Sequence, residues 1–419
     1  MNNWHKKSRP VIPDSTLFTN NPATLDRTNT TQGLTGYSSR RHQQSMAIEL
    51  LTTANIEKKC IFVHIRQKIF EKMPVTRKLW GRTAQGEPVY RYTITNGSGA
   101  SVVLSNFGAA IVAVNVPDRA GKLGDVVLGY GKAESYDHDG PCFGKCPGRF
   151  ANRIAKGHLE IDGQVYDLPI NNGPNHLHGG PEGFQNRVWQ SRKKLGAVEF
   201  KYVSQDGEMG YPGKLAVVAH YAWSEDNVLS LTFTARTDKK TVVNLTNHPY
   251  FNLDCGGSVL RHTLQLNASE YLPTDPTLIP LGESEPVAGT PMDFLNPKRL
   301  GRDIRKDFPA LKYGKGYDAC WLIDGYIPGQ LQTAAVLKGA RSGRTLTVTT
   351  TQPGVQVYTG NWLNGCPKGK RGRIYHDYDG VAIECQHYPD SPNHPEYPPV
   401  VLKPHKVYHE AIIFAFGVE

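Results

Sequence analysis

Apolar and polar residues alternate with a period of two in many short segments after Lys78, among them KLAVVAHYAW and VLSLTFTARTD. Asn-Gly, Gly-Ala and Arg-Ala-Gly turns separate these segments, and windows with helical periodicity are almost absent. The pattern predicts an all-β fold, a large antiparallel β-sandwich. The only helical pieces that we expect are short, at residues 292–295 and 296–304.

The first 72 residues do not share this pattern. Residues 1–45 are polar and lack periodicity, so we expect disorder there, because too little apolar surface is available to offset the entropy of ordering. Residues 46–72 have a mixed or loosely helical pattern. They could form a docking helix or a targeting element, or be an artefact of a gene model begun upstream of Met73. We therefore expect a leader over 1–72, dispensable for folding and activity, and one folded domain over 73–419.

Apolar runs and cysteine usage indicate the cellular compartment of the protein. The chain has no apolar run of 18 residues that could cross a bilayer, and its N-terminus does not resemble a secretion signal. The seven cysteines are scattered and odd in number, which fits a reduced interior better than a disulfide framework. The sequence therefore predicts a cytoplasmic protein that does not associate with membranes.

The formal net charge of +10 could suggest nucleic acid binding, but its distribution argues against it. Residues 1–72 hold 11 Lys/Arg and 5 Asp/Glu, whereas residues 73–419 hold 37 and 33. The charge belongs mostly to the leader, so we expect no nucleic acid partner.

Residues 148–180 carry the first candidate site. The segment HLEIDGQVYDL alternates and turns at Asp162-Gly163, which predicts a β-hairpin. Asn152 and Arg153 lie at its entry and His178 beyond its exit. A guanidinium offers a planar fork of donors, and an imidazole can give or take a proton, so the group suits a ligand with many hydroxyls.

Metal binding is the alternative for this segment, since His176 and His178 are two residues apart, as metal ligands on a strand can be. No further Cys, His or acidic residue follows at a spacing that would complete a zinc site. The Cys142 and Cys146 pair also lacks a second pair, and we interpret it as incidental. We expect no metal.

Two further segments place polar residues where a core would need apolar ones. The segment TVVNLTNHPYFNL predicts a strand with Asn244, Thr246 and His248 on one face. The segment GVAIECQHY places Glu384 on a largely apolar strand, where a carboxylate must be paired, hydrogen-bonded or functional. A structural ion pair for Glu384 and a core histidine for His248 are the alternatives.

Together, five motifs resemble the aldose 1-epimerase (galactose mutarotase) family, and they occur in the family's order: GRFANRIAKG, NNGPNHLHGG, TNHPYFNL, QPGVQVYTGN and AIECQHYPDSPNHP. The resemblance covers about Leu79 to the C-terminus. It implies an extended twisted β-sandwich with an open concave face. It also implies an isomerase that interconverts the α and β anomers of free hexoses such as galactose and glucose.

Residue roles follow from this resemblance. Glu384 matches the base that removes the proton of the anomeric hydroxyl, and His248 matches the acid that protonates the ring oxygen. The family's substrate-binding positions correspond to Asn152, Arg153, His178, Asp318 and Gln356. We add Tyr358 as a residue that could stack on the sugar and His176 as a candidate supporting residue. The chemistry needs no cofactor and no metal, and the expected partner is a small sugar, bound by a monomer or a homodimer.

Two other functions fit the same fold. A hexose-6-phosphate 1-epimerase would need clustered cations for the phosphate, and apart from Arg153 the motifs offer no obvious pair. A non-catalytic sugar-binding or regulatory protein would have lost Glu384 or His248, and both are present.

Overall fold

Antiparallel strands dominate the part of the chain that the computed structural model describes, residues 73–137 and 139–419. The expectations for residues 1–72 lie outside the described residues. The strands of the N-terminal half are β1 Val75–Arg82, β2 Pro88–Thr95, β3 Ser101–Ser105, β4 Ala110–Pro117, β5 Leu123–Asp125, β6 Arg153–Ile154, β7 His158–Ile161, β8 Gln164–Asp167, β9 His176–Leu177, β10 Gln190–Lys194, β11 Ala197–Ser204, β12 Leu215–Trp223 and β13 Val228–Thr237. The remaining strands are β14 Thr241–Val242, β15 Tyr250–Phe251, β16 Thr263–Leu266, β17 Glu270–Tyr271, β18 Glu285–Pro286, β19 Lys298–Arg299, β20 Asp318–Leu322, β21 Gln332–Lys338, β22 Arg344–Thr350, β23 Gly354–Tyr358, β24 Val381–Gln386, β25 Val401–Leu402 and β26 Tyr408–Val418.

These strands form three larger sheets and three two-stranded pairs within the described residues. The first sheet has the order β1-β2-β3-β4-β5, the second β10-β11-β12-β13-β26-β22-β21-β16-β19, and the third β15-β24-β23-β20-β17-β18. The pairs are β6-β9, β7-β8 and β14-β25. All the pairings between these strands are antiparallel, which confirms the predicted all-β class.

One hydrophobic core joins the three larger sheets. Strand β13 shows the reason, because its buried Leu229, Leu231 and Phe233 alternate with more exposed Ser and Thr residues. Residues from all three sheets, including Val102, Leu231 and Val357, belong to the same buried cluster. The three sheets therefore share one core, as the layers of a sandwich do.

The helix prediction was wrong in its location. The one α-helix of the described chain, α1, spans Pro309–Gly314, while residues 292–304 form turns and the short strand β19. Proline at the first helical position suits a helix start, because its missing N–H has no intrahelical acceptor there. Single 3₁₀ turns occur at Ala133–Tyr136, Ala155–Gly157, Phe184–Asn186, Glu208–Gly210, Val259–Arg261, Lys370–Gly372 and Ser391–Asn393.

The predicted hairpin is present as β7 and β8, with Leu159 opposite Tyr166. Asp162 and Gly163 have φ angles of 53° and 80°, the positive values that a two-residue hairpin turn requires at both positions. In the described chain, no helix is long and apolar enough to cross a membrane.

Candidate active site

Three adjacent strands of the six-stranded sheet form one wall of the site. The register pairs Gln356 of β23 with Glu384 of β24, and Tyr358 of β23 with Asp318 of β20. Paired residues in an antiparallel ladder lie on the same face, so these four side chains share it. The intervening residues of the strands, such as Val357 and Ile383, enter the core. Alternation along three strands thus produces one polar face.

The opposite wall comes from the β6-β9 pair, in which Arg153 lies opposite Leu177. The residues beside this pair bind each other twice: the Asn152 N–H donates to His178 Nδ1 at 3.1 Å, and the His178 N–H donates to the Asn152 carbonyl at 3.0 Å. Both residues adopt left-handed φ angles, 66° for Asn152 and 54° for His178. Such angles in residues other than glycine are uncommon and concentrate at functional sites.

This contact fixes the tautomer of His178. A backbone N–H can only donate, so Nδ1 must accept, and the proton of the neutral ring lies on Nε2. Burial holds the pKa of His178 well below its usual value, and the neighbouring His248 and Arg153 lower it further. His178 is therefore a neutral N–H donor.

His248 lies on the loop between β14 and β15. Its ring stacks on Tyr250 with centroids 4.9 Å apart and lies 5.5 Å from the His178 ring. Its Nε2 is 3.3 Å from Oε1 of Glu384, and the two side chains are only 6% and 2% exposed. An imidazole and a carboxylate in direct contact can hold and exchange a proton.

The strand expected through this loop ends at Val242. Side-chain hydrogen bonds take the place of the backbone hydrogen bonds that a strand would form here. Thr246 Oγ1 donates to the Cys385 carbonyl at 2.6 Å, and Asn247 Nδ2 donates to the Gly144 carbonyl at 2.6 Å. The alternation predicted for residues 243–248 is therefore wrong as secondary structure, because Thr and Asn bind neighbouring backbone instead.

The two walls enclose a cavity of about 640 Å³. Its lining includes all seven residues singled out for the site: Asn152, Arg153, His178, His248, Asp318, Gln356 and Glu384. Tyr358 lines it as well, and among its described lining residues Arg153 is the only Lys or Arg. The volume falls in the usual range for small-molecule pockets.

Burial sets the protonation states of the central pair. It raises the pKa of Glu384 well above its usual 4.5, and Asp318 adds to the rise while Arg153 opposes it. Burial also lowers the pKa of His248 from 6.5 to about 4. In the free site the proton is thus held by Glu384, and His248 is neutral.

Several polar groups around this pair are positioned or unpaired. Gln356 Nε2 donates to Asp318 Oδ1 at 2.6 Å, and Arg153 Nε donates to Asn172 Oδ1 at 3.1 Å. Oε2 of Glu384 and Oε1 of Gln356 are buried without a hydrogen-bond partner anywhere in the described chain. Unpaired buried acceptors are costly, so a ligand that supplies hydroxyl donors suits this site.

A metal ion fits the same groups poorly. His178, His248 and Glu384 bring potential ligand atoms within 4.8 Å of one another. However, Nδ1 of His178 is engaged by the Asn152 N–H and its Nε2 carries the proton, so this ring has no lone pair to offer. Two ligands remain, fewer than the three of catalytic zinc sites.

His176 does not line the cavity. It is fully buried behind it, where Nδ1 donates to the Pro169 carbonyl at 2.7 Å and Nε2 accepts from the Tyr211 hydroxyl at 2.7 Å. It supports the fold of the segment that carries His178.

Sequence reasoning missed several residues of the site. Tyr250, which stacks on His248, lies inside a motif already singled out, and Trp362 directly follows another. Arg149, which does not line the cavity but lies in the same motif as Asn152 and Arg153, is 1% exposed and donates five hydrogen bonds to the segments around residues 204–213 and 241. Nothing in the local pattern separates such an arginine from a solvated one.

Comparison with known proteins places this geometry in context. A family model described as aldose 1-epimerase matches residues 90–415. A curated relative from Sus scrofa, galactose mutarotase, is 40% identical over 346 residues, covering 82% of this chain and 99% of the relative. The aldose 1-epimerase of Escherichia coli (strain K12) is 38% identical over 339 residues, covering 80% and 97%.

Solved structures agree with these relatives. A GalM/aldose epimerase homologue from C. elegans superposes with a TM-score of 0.72 at 32% identity, covering 78% of this chain and 98% of its own. A galactose 1-epimerase from Lactobacillus acidophilus NCFM gives 0.72 at 28% identity, covering 83% and 99%.

Proposed function

The chain belongs to the aldose 1-epimerase family, and from this premise we propose that it interconverts the α and β anomers of free hexoses such as galactose and glucose. The observation that carries the proposal is the contact of 3.3 Å between His248 and Glu384 in a cavity lined by polar side chains. Mutarotation needs one proton removed from the anomeric hydroxyl and one delivered to the ring oxygen, and this pair can do both.

Glu384 acts as the base and His248 as the acid. As the Glu384 carboxylate takes the proton of the anomeric hydroxyl, the C1–O1 bond becomes a carbonyl, and the bond between C1 and the ring oxygen breaks. The ring oxygen takes a proton from the imidazolium of His248. Rotation about C1–C2 presents the other face of the aldehyde, and the reverse transfers close the ring as the other anomer.

The pair holds one proton throughout this cycle. Before ring opening the proton is on His248, and after it the proton is on Glu384, which is the distribution that burial favours in the free site. Protonated Glu384 is therefore not an inactive form, because it is the state from which the ring recloses. Binding of the hydroxyl-rich sugar must shift the proton to His248 at the start of each cycle.

The remaining polar residues hold the sugar. The Nε2–H of neutral His178 and the guanidinium of Arg153 donate to sugar oxygens, while Asp318 and Gln356, already joined at 2.6 Å, accept from hydroxyls. Asn152 fixes the ring of His178. These roles are supported by the positions of the residues around one cavity.

The hexose-6-phosphate alternative is less well supported, because a phosphate needs more cationic partners than Arg153 alone.

We also propose that the protein acts in the cytoplasm as a monomer or homodimer. The six cysteines of the described chain are unpaired, as expected in a reducing compartment. Cell fractionation and light scattering after size exclusion test these two points.

Exchange spectroscopy by NMR tests the function directly. The exchange rate between the α and β anomeric protons is measured at equilibrium for galactose, glucose and glucose 6-phosphate, with and without protein. We expect acceleration for the free hexoses. Acceleration confined to the 6-phosphate would contradict the proposal, and no acceleration with any sugar would favour a binding protein.

A further inference from the structure

A second concave surface lies at the β19 end of the nine-stranded sheet. It encloses about 630 Å³ and shares no lining residue with the sugar cavity. Its residues, here called the arginine groove, are Leu260, Arg261, Pro297, Lys298, Arg299, Gly301, Arg302, Ile304 and Arg305. Apolar side chains and arginines thus line the same concave surface.

The charges of the arginine groove are not balanced. Asp303, beneath the surface, contacts Lys298 at 3.1 Å, Lys306 at 3.0 Å and Arg302 at 3.9 Å. Asp293 also acts on Lys298, where it opposes the fall in pKa that burial causes. The side chains of Arg261, Arg299 and Arg305 are exposed, and no hydrogen bond or ion pair is found for them within the described residues. The nearby Asp307 is already paired with Lys312.

The excess of positive charge at the groove is large compared with the net charge of residues 73–419. Residues 73–419 carry an excess of only four cationic residues, 37 Lys/Arg against 33 Asp/Glu. Lys306 and the five cations of the groove outnumber Asp303 by five, slightly more than the excess for residues 73–419 as a whole. Concave surfaces with one sign of charge concentrate ions of the opposite sign, so the groove attracts anions.

Protection of the sheet edge does not account for the cluster. Strand β19 is an edge strand, and charged residues on edges prevent pairing with other chains. That role covers Lys298 and Arg299 only, since Arg261, Arg302 and Arg305 lie outside the strand.

We propose that the arginine groove binds a small molecule that carries phosphate. A guanidinium presents parallel donors that match two phosphate oxygens, which makes arginine the favoured residue for phosphate recognition. Leu260, Pro297 and Ile304 offer apolar contacts for the rest of such a molecule. Nucleic acid fits less well, because the groove is a single concave surface with five cations, and a nucleic acid backbone needs a longer row of them.

Titration calorimetry with ADP and with pyrophosphate, on the full chain at low salt, tests this site. The variant is Arg299→Gln/Arg305→Gln, two exposed side chains without partners in the described chain, so folding is preserved. The matched control is Arg192→Gln/Lys193→Gln, two exposed cations on β10, the opposite edge strand of the same sheet. Circular dichroism and hexose exchange rates are expected to be unchanged in both variants.

We expect the groove variant to weaken binding at least about tenfold, since each lost charged hydrogen bond is worth about a factor of ten, and the control to leave it unchanged. Equal weakening in both variants would show non-specific attraction and overturn the proposal. Absence of binding at millimolar ligand would also overturn it. Binding to vesicles of phosphatidic acid without binding to either soluble probe would assign the groove to a lipid headgroup instead.

Discussion

The pH dependence of turnover follows from the one proton that Glu384 and His248 share. Transfer of this proton between the two residues does not depend on pH, because the number of protons bound to the pair stays constant. Activity is lost only when the pair gains a second proton or loses its last one. The profile of kcat/KM is therefore expected to be bell-shaped, with limits set by the pair as a whole.

The structure places the acid limit unusually low. The second proton must enter the buried ring of His248, whose pKa is lowered from 6.5 to about 4. A shift of this size corresponds to roughly 3 kcal/mol against the imidazolium. At pH 5.5, a group with a pKa of 4 is about 3% protonated, whereas one at 6.5 is about 91% protonated. The enzyme should thus keep nearly full activity at pH 5.5.

Initial rates of anomer exchange between pH 4.5 and 9, corrected for the spontaneous reaction, measure this profile. Circular dichroism at each pH verifies that the protein stays folded. An acid limb with a midpoint at or above 6.5 would refute the reasoning, because it would mean that burial does not control His248.

The same pH profile tests whether Asp318 helps to set the position of the alkaline limb. Asp318 is, after burial, the main cause that raises the pKa of Glu384. Asp318→Asn removes this charge, so the alkaline limb should move to lower pH whatever the loss in rate. An alkaline limb that stays in place would assign it to another group.

Three other perturbations have defined outcomes. Arg149→Met removes five hydrogen bonds, four of them buried, and should lower the free energy of unfolding by at least about 3 kcal/mol, whereas the exposed Arg192→Met should change it by less than about 0.5 kcal/mol; urea denaturation compares them. Burial lowers the pKa of His176 from 6.5 to about 4, so between these pH values the unfolded state binds more protons than the folded state. The free energy of unfolding should therefore fall as pH drops through this window. In thermal denaturation, His176→Gln should reduce the decrease in melting temperature over the same window. A chain that begins at Met73 should retain full activity, and an insoluble or inactive product would contradict the view that residues 1–72 are dispensable.

Periodicity along the chain was sufficient to predict the β-sandwich and the position of Glu384 on a polar face, whereas Gln356 and Asp318 were predicted from the family resemblance. On β23 and β24 a period of two places Gln356 and Glu384 on the face opposite the core, and the structure pairs them directly. The hairpin at Asp162-Gly163 was also predicted from the sequence, because its turn depends on local backbone preferences. Local patterns thus predict what local forces determine.

Long-range contacts explain what the sequence did not reveal. The backbone around Asn247 follows side-chain hydrogen bonds to a segment about 100 residues away, and the location of α1 depends on packing beside β20. The interior position of Arg149 depends on acceptors 55 to 92 residues distant. Likewise, the pKa values of Glu384 and His248 result from burial that only the assembled sheets create.

Polarimetry on freshly dissolved α-D-galactose tests the central claim most directly. The approach to anomeric equilibrium is compared among wild type, Glu384→Gln, His248→Gln and a sample without protein, while calorimetry follows sugar binding. The account predicts rapid equilibration with wild type only, with both variants close to the spontaneous rate and still able to bind sugar. Near-normal turnover by either variant would contradict the role assigned to that residue, and no acceleration by wild type would contradict the proposed function itself.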